Sequence, residues 1–171
     1  MFIFLLVTLF IDFFKYFLGD EFRAGLDVVP ILLMANLCLG VYVNLSIWYK
    51  LTDRTLMGAS VSLGGALLTI GLNIVWIPVW GYVGSAWATL ACYAAMAIVS
   101  YGLGQYYYPV AYSIKRILAY IGLGVLLYVV KIQLPVNIDV PSWLLSLELL
   151  SIYLLMVLLF ERAAPTAIDN R

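Results

Sequence analysis

Few side chains in this sequence could carry chemistry, and their spacing narrows what that chemistry is. Asp12 and Lys15 stand three positions apart, a spacing that lets opposite charges pair on one helix face. Toward the end of an apolar run Lys15 also has the option of extending its ammonium to the membrane interface. Glu148 is set between Leu147 and Leu149. An ionised carboxylate in such a run is costly unless it is paired, neutralised or hydrated. It is therefore read as a protonated carboxyl, a proton or cation site, or a contact to a partner. Asn36, Gly40 and Asn44 recur every fourth residue, as do Gly65, Thr69 and Asn73, so each set lies on one helix face. Amides on such a stripe avoid lipid. They either bond between helices or line a polar cavity, and both readings stay open. Lys50, Arg54, Lys115 and Arg116 are loop cations that set topology and could attract phosphate.

The missing residue types are equally informative. The chain has no histidine, which removes the commonest general base and metal ligand. No G-x-S-x-G, phosphate-binding P-loop, H-E-x-x-H or C-x-x-C pattern occurs. The carboxylates are too scattered for a two-metal centre. We therefore expect no enzyme activity, no metal and no cofactor. Cys38 and Cys92 lie inside apolar runs and read as buried free thiols. Net charge is zero, without a basic patch for nucleic acid.

The elements that must position these residues are transmembrane. Of 171 residues, 65% are hydrophobic and 11% charged, and mean hydropathy is +1.07. A soluble domain is about half apolar and a quarter charged. So much apolar surface needs lipid as its solvent. Apolar runs at 1–18, 26–48, 57–79, 82–104, 114–133 and 142–160 predict an all-α polytopic bundle of about six transmembrane helices. The expected organisation is four helices in 1–104, an interfacial loop and two further helices in 105–160, and a disordered polar tail over 161–171. Met1 runs straight into Phe2-Ile3-Phe4 without a basic stretch, so the start reads as a span rather than a signal peptide.

With six spans, Lys50, Arg54, Lys115, Arg116, Arg162 and Arg171 share one side, against Arg23 and Lys131 on the other. That bias puts both termini in the cytoplasm. Trp48, Tyr49 and Tyr106 to Tyr108 would mark the inner interface, and Trp76, Trp80 and Trp143 the outer one. Pro30 predicts a kink in the second span. Pro78 is expected to end the third span and Gly81 to allow a tight reversal. Small residues recur at Gly58, Ser62 and Ala66, at Gly65, and at Gly84, Ala88 and Cys92. Such stripes let helix backbones approach closely in lipid. Spans three and four are therefore expected to form a tight hairpin packed through Gly58, Ser62, Gly65, Gly84 and Ala88.

Residues 71–93 read GLNIVWIPVWGYVGSAWATLACY: an Asn late in one helix, Ile-Pro, an aromatic-Gly turn, then Gly-Ser-Ala opening the next helix. This segment, with VNLSIWYKLTDRT at 43–55, resembles the carboxy-terminal half of bacterial polysaccharide biosynthesis transporters. These are the O-antigen flippases of the multidrug/oligosaccharidyl-lipid/polysaccharide exporter superfamily. The likeness spans roughly residues 1–120 and is weak outside those two stretches. It implies a chain holding helices nine to fourteen of two pseudo-symmetric bundles. The expected function is then flipping of polyprenyl-diphosphate-linked oligosaccharide across the bacterial cytoplasmic membrane by alternating access. The missing amino-terminal bundle, in the same parent chain or in trans, and the lipid bilayer are the implied partners. Diphosphate and sugars must avoid hydrocarbon, so a polar, partly cationic cleft is required. The candidates are Lys15, Asn36, Asn44 and Asn73 in the cleft, with Lys50 and Arg54 at its cytoplasmic mouth. Two alternatives remain. One is a cation-coupled multidrug or metabolite antiporter, with Asp12 or Glu148 as the coupling carboxylate. The other is a non-transporting membrane scaffold.

Overall fold

The computed structural model describes residues 1–11, 25–109, 114–133 and 142–163. Every element among them is helical: α1 (Phe2–Leu9), α2 (Val29–Leu45), α3 (Ile47–Leu51), α4 (Thr55–Tyr107), α5 (Ile114–Gln133) and α6 (Ser142–Ala163). Three helical stretches, Gly25–Leu51, Thr55–Tyr107 and Arg116–Gln133, are long and apolar enough to cross a membrane. Asp12, Lys15, Arg23 and the tail from 164 onward lie outside the described residues. Helix α6 continues through Ala163, past the end expected at Phe160.

Two prolines act differently from expectation. Pro30 falls in the first turn of α2, where a missing N–H leaves no helical bond unmade. It therefore starts the helix instead of kinking its interior. Pro78 is accommodated inside α4, and the chain breaks helical geometry at Gly81, with φ 59° and ψ −138°. This backbone region is almost closed to residues with a Cβ. Gly81 alone thus divides α4 into two arms, 55–80 and 82–107.

The arms lie against each other. The Cys92 thiol donates to the Gly65 carbonyl at 3.1 Å, and Thr69 Oγ1 reaches the same oxygen at 2.9 Å. A Cβ on Gly84 would stand 2.5 Å from the Trp76 carbonyl oxygen, and one on Gly65 would overlap the Met96 sulfur. Ala88 is fully buried. The expected hairpin is present, with Gly65 and Gly84 at its seam and Ala88 buried, but two of the five expected seam residues lie elsewhere. Gly58 and Ser62 serve a different contact: Gly58 faces the Tyr49 ring, and Ser62 Oγ is 2.9 Å from the Tyr42 hydroxyl. These two positions seat the α2–α3 segment on the hairpin. Tyr42, Cys92 and Met96 form the shared core, with Leu39, Val61, Tyr93 and Ala97 packed around it.

The described helices fall into two compact units. One contains α2, α3 and α4. The other contains α1, α5 and α6, so the first helix shares its unit with the last two. In that second group α1 loses helical geometry at Phe10. The Leu9 carbonyl accepts from Lys131 Nζ and from Ser146 Oγ at 2.8 Å. Phe4 packs edge-on against Tyr128, with ring centroids 5.8 Å apart.

Candidate functional site

The charged and aromatic end of the hairpin is built by a turn. Helix α3 ends with Arg54 N–H bonding the Tyr49 carbonyl at 2.8 Å, and Asp53 N–H reaching the Lys50 carbonyl at 3.4 Å. This pair of bonds is a Schellman closure. Its left-handed position, usually glycine, is held by Asp53 at φ 54°. The turn delivers Arg54 to the start of α4, and its guanidinium lies 4.2 Å from the centre of the Tyr107 ring. Tyr107 also stacks with Trp48 at 5.9 Å and meets Tyr106 edge-on at 4.8 Å. Trp48 packs on Tyr49 at 4.2 Å. The Trp48 indole sits so close to Gly104 that a Cβ there would be 2.9 Å from Nε1. That Nε1 is buried without a hydrogen-bond partner. Arg54 and Lys50 are both exposed, so two cations and an aromatic cluster share one end. Trp76 and Trp80 lie near the Gly81 turn, with their rings 5.6 Å apart. Trp76 and Trp80 thus lie at the opposite end of the hairpin from Trp48 and Tyr107, while the side chain of Trp143, the third residue expected at the outer interface, lies outside the described residues.

Between the arms runs an open apolar groove of about 610 Å³, within the size range of ligand sites. Leu56, Met57, Val61 and Leu68 line it from the first arm, and Met96 and Leu103 from the second.

The sequence-derived polar candidates do not converge on that groove. Asn36 and Asn44 are exposed, and each amide donates to its own helix, to Leu32 O at 2.9 Å and to Gly40 O at 3.0 Å. Asn73 is half-buried, with Oδ1 enclosed and unbonded. Glu148 is exposed on α6, and its main-chain carbonyl accepts from Ser151 Oγ at 2.8 Å. Asp12 and Lys15 lie outside the described residues. Cys92 is buried and Cys38 half-buried, both as free thiols. Among the described residues, no group of His, Cys, Asp and Glu could hold a metal.

Sequence reasoning missed Tyr107 as the partner of Arg54, and it missed the groove. One signal was present: positions 54 and 107 are nearly equidistant from Gly81, so folding the hairpin there brings them together.

No protein-family model, curated protein or solved structure matches this chain.

Proposed function

We propose that this chain contributes membrane-spanning helices to a transporter that moves polyprenyl-diphosphate-linked oligosaccharide across the bacterial cytoplasmic membrane. The observation that carries the reading is the motif at 71–93. The segment that resembles the flippases folds as a hairpin with Gly81 at its turn and Gly84 packed against Trp76. Each arm of α4 is about 39 Å long at about 1.5 Å per residue, enough to cross a core of roughly 30 Å. Six crossings follow if the 1–18 run, Gly25–Leu51, the two arms, α5 and α6 each span once. The bias of Lys and Arg then favours cytoplasmic termini. Alternating access needs an opposing bundle, so the amino-terminal bundle is the expected partner. Lys50 and Arg54 are suited to attract phosphate on the cytoplasmic side, and catalysis forms no part of the proposal.

The test is export of lipid-linked sugar in cells that depend on this chain together with an amino-terminal bundle. Lys15→Ala should abolish export at normal expression. Unchanged export would remove Lys15 from the cleft.

A scaffold reading is favoured by one observation: Asn36 and Asn44 bond their own helix and do not line the groove between the arms. A stable complex with glycosyltransferases, with translocation unaffected by loss of the chain, would select it. Cation-dependent dye efflux that is lost in Glu148→Gln would instead select the antiporter.

A further inference from the structure

We infer that the groove between the arms of α4 holds one acyl chain of an anionic glycerophospholipid, with the lipid phosphate at Arg54. The inference depends on the chain lying in a bilayer; it shares Arg54 with the proposed transport reading, and a polyprenyl phosphate probe separates the two.

Three observations point to this occupant. The first is depth. Along the first arm the groove runs from Leu56 to Leu68, about 18 Å at about 1.5 Å per residue. That is close to half the roughly 30 Å hydrocarbon thickness, the depth of one leaflet. A transmembrane helix from another subunit would need a track across both leaflets. The second is charge, which is confined to one end. Arg54 precedes Leu56 by two residues, and Tyr107, over which it lies, is one turn beyond Leu103. Lys50, on the same turn, is also exposed. With the exposed Asp53 carboxylate offsetting one of the two cations, the apolar track ends at one net positive charge, at Arg54, and complements a molecule with one anionic head and an apolar tail. The third is the wall itself. Gly64 lines the groove, and a Cβ there would meet nothing within 4 Å. The space beside it is free for a methylene chain. Near a membrane surface each basic residue attracts anionic lipid by an amount equivalent to about fivefold in affinity.

The experiment is native mass spectrometry of the full chain in mild detergent. The probes are phosphatidylglycerol, phosphatidylcholine with the same acyl chains, and a polyprenyl monophosphate. Phosphatidylglycerol should be retained about fivefold over phosphatidylcholine. Arg54→Gln should bring the two together. Gly64→Leu should lower retention of both, as should Ser60→Leu, a second groove-filling change. Gly71→Leu, on the same arm but outside the groove and also without neighbours, should change nothing. Equal retention of the two phospholipids overturns the inference. So does retention of phosphatidylglycerol that is insensitive to Arg54→Gln or to both groove-filling changes. Gly71→Leu acting as strongly as Gly64→Leu also overturns it. Displacement of phosphatidylglycerol by the polyprenyl phosphate overturns it too, in favour of a polyprenyl lipid in the groove.

Discussion

Gly84 faces the Trp76 carbonyl so closely that any Cβ on it would stand 2.5 Å from that oxygen. The contact crosses the Gly81 turn and is backbone to backbone. Gly65, further along the hairpin, faces the Met96 side chain instead. A main-chain carbonyl in a helix cannot yield without moving the helix, whereas a methionine has other rotamers available.

The two glycines should therefore respond differently to the same change. Gly84→Ala is expected to destabilise the chain by about 1–3 kcal/mol, the usual cost of overpacking. Gly65→Ala should cost clearly less. Thermal unfolding in detergent, followed by helical circular dichroism, checks the order. Equal losses would mean that the Gly84 contact is relaxed in solution.

At Gly81 the penalty is purely conformational, because a Cβ there would meet nothing within 4 Å. Gly81→Ala should cost about 1–3 kcal/mol from the backbone region alone. Adding Gly71→Ala, at an open helical position, should recover part of that loss by restricting the unfolded chain, about 0.4–1 kcal/mol. A neutral Gly81→Ala would show that the turn uses other angles.

Asp53 offers the reverse case. It holds a left-handed conformation at φ 54° in the turn between α3 and α4. Asp53→Gly should raise stability by about 1 kcal/mol, since glycine adopts that region without a Cβ clash. The same unfolding assay applies, and a drop in stability would indicate that the aspartate carboxylate makes a compensating contact.

Asn36 and Asn44 satisfy their amides within α2. Asn36→Ala and Asn44→Ala should each leave the stability of this chain within about 0.5 kcal/mol, as for other exposed positions. In the proposed transporter the same variants should lower export. Stability and export falling together would instead identify the amides as interhelical bonds.

Much of the fold was legible in the residues. Gly81 was identifiable as a reversal because it is the one glycine in the short break Pro78-Val79-Trp80-Gly81 between two apolar runs. The seam through Gly65, Gly84 and Ala88 followed from four-residue spacing, which places those positions on one face. The roles of Gly58 and Ser62 were not legible. They sit on a small-residue stripe yet contact Tyr49 and Tyr42 rather than the other arm. Pro30 was misjudged because the start of α2 could not be located to within a turn, and that turn decides between a helix start and a kink.

Hydropathy and helical period are sums over chain neighbours, so the order of residues was enough to determine that the described elements are helical, that several are apolar enough to cross a membrane, and that α4 turns back on itself. Which groups meet depends on rotamers and on close packing between distant segments. Only the tertiary structure decided that Arg54 lies on Tyr107, that Lys131 and Ser146 share the Leu9 carbonyl, and that an apolar groove opens between the arms.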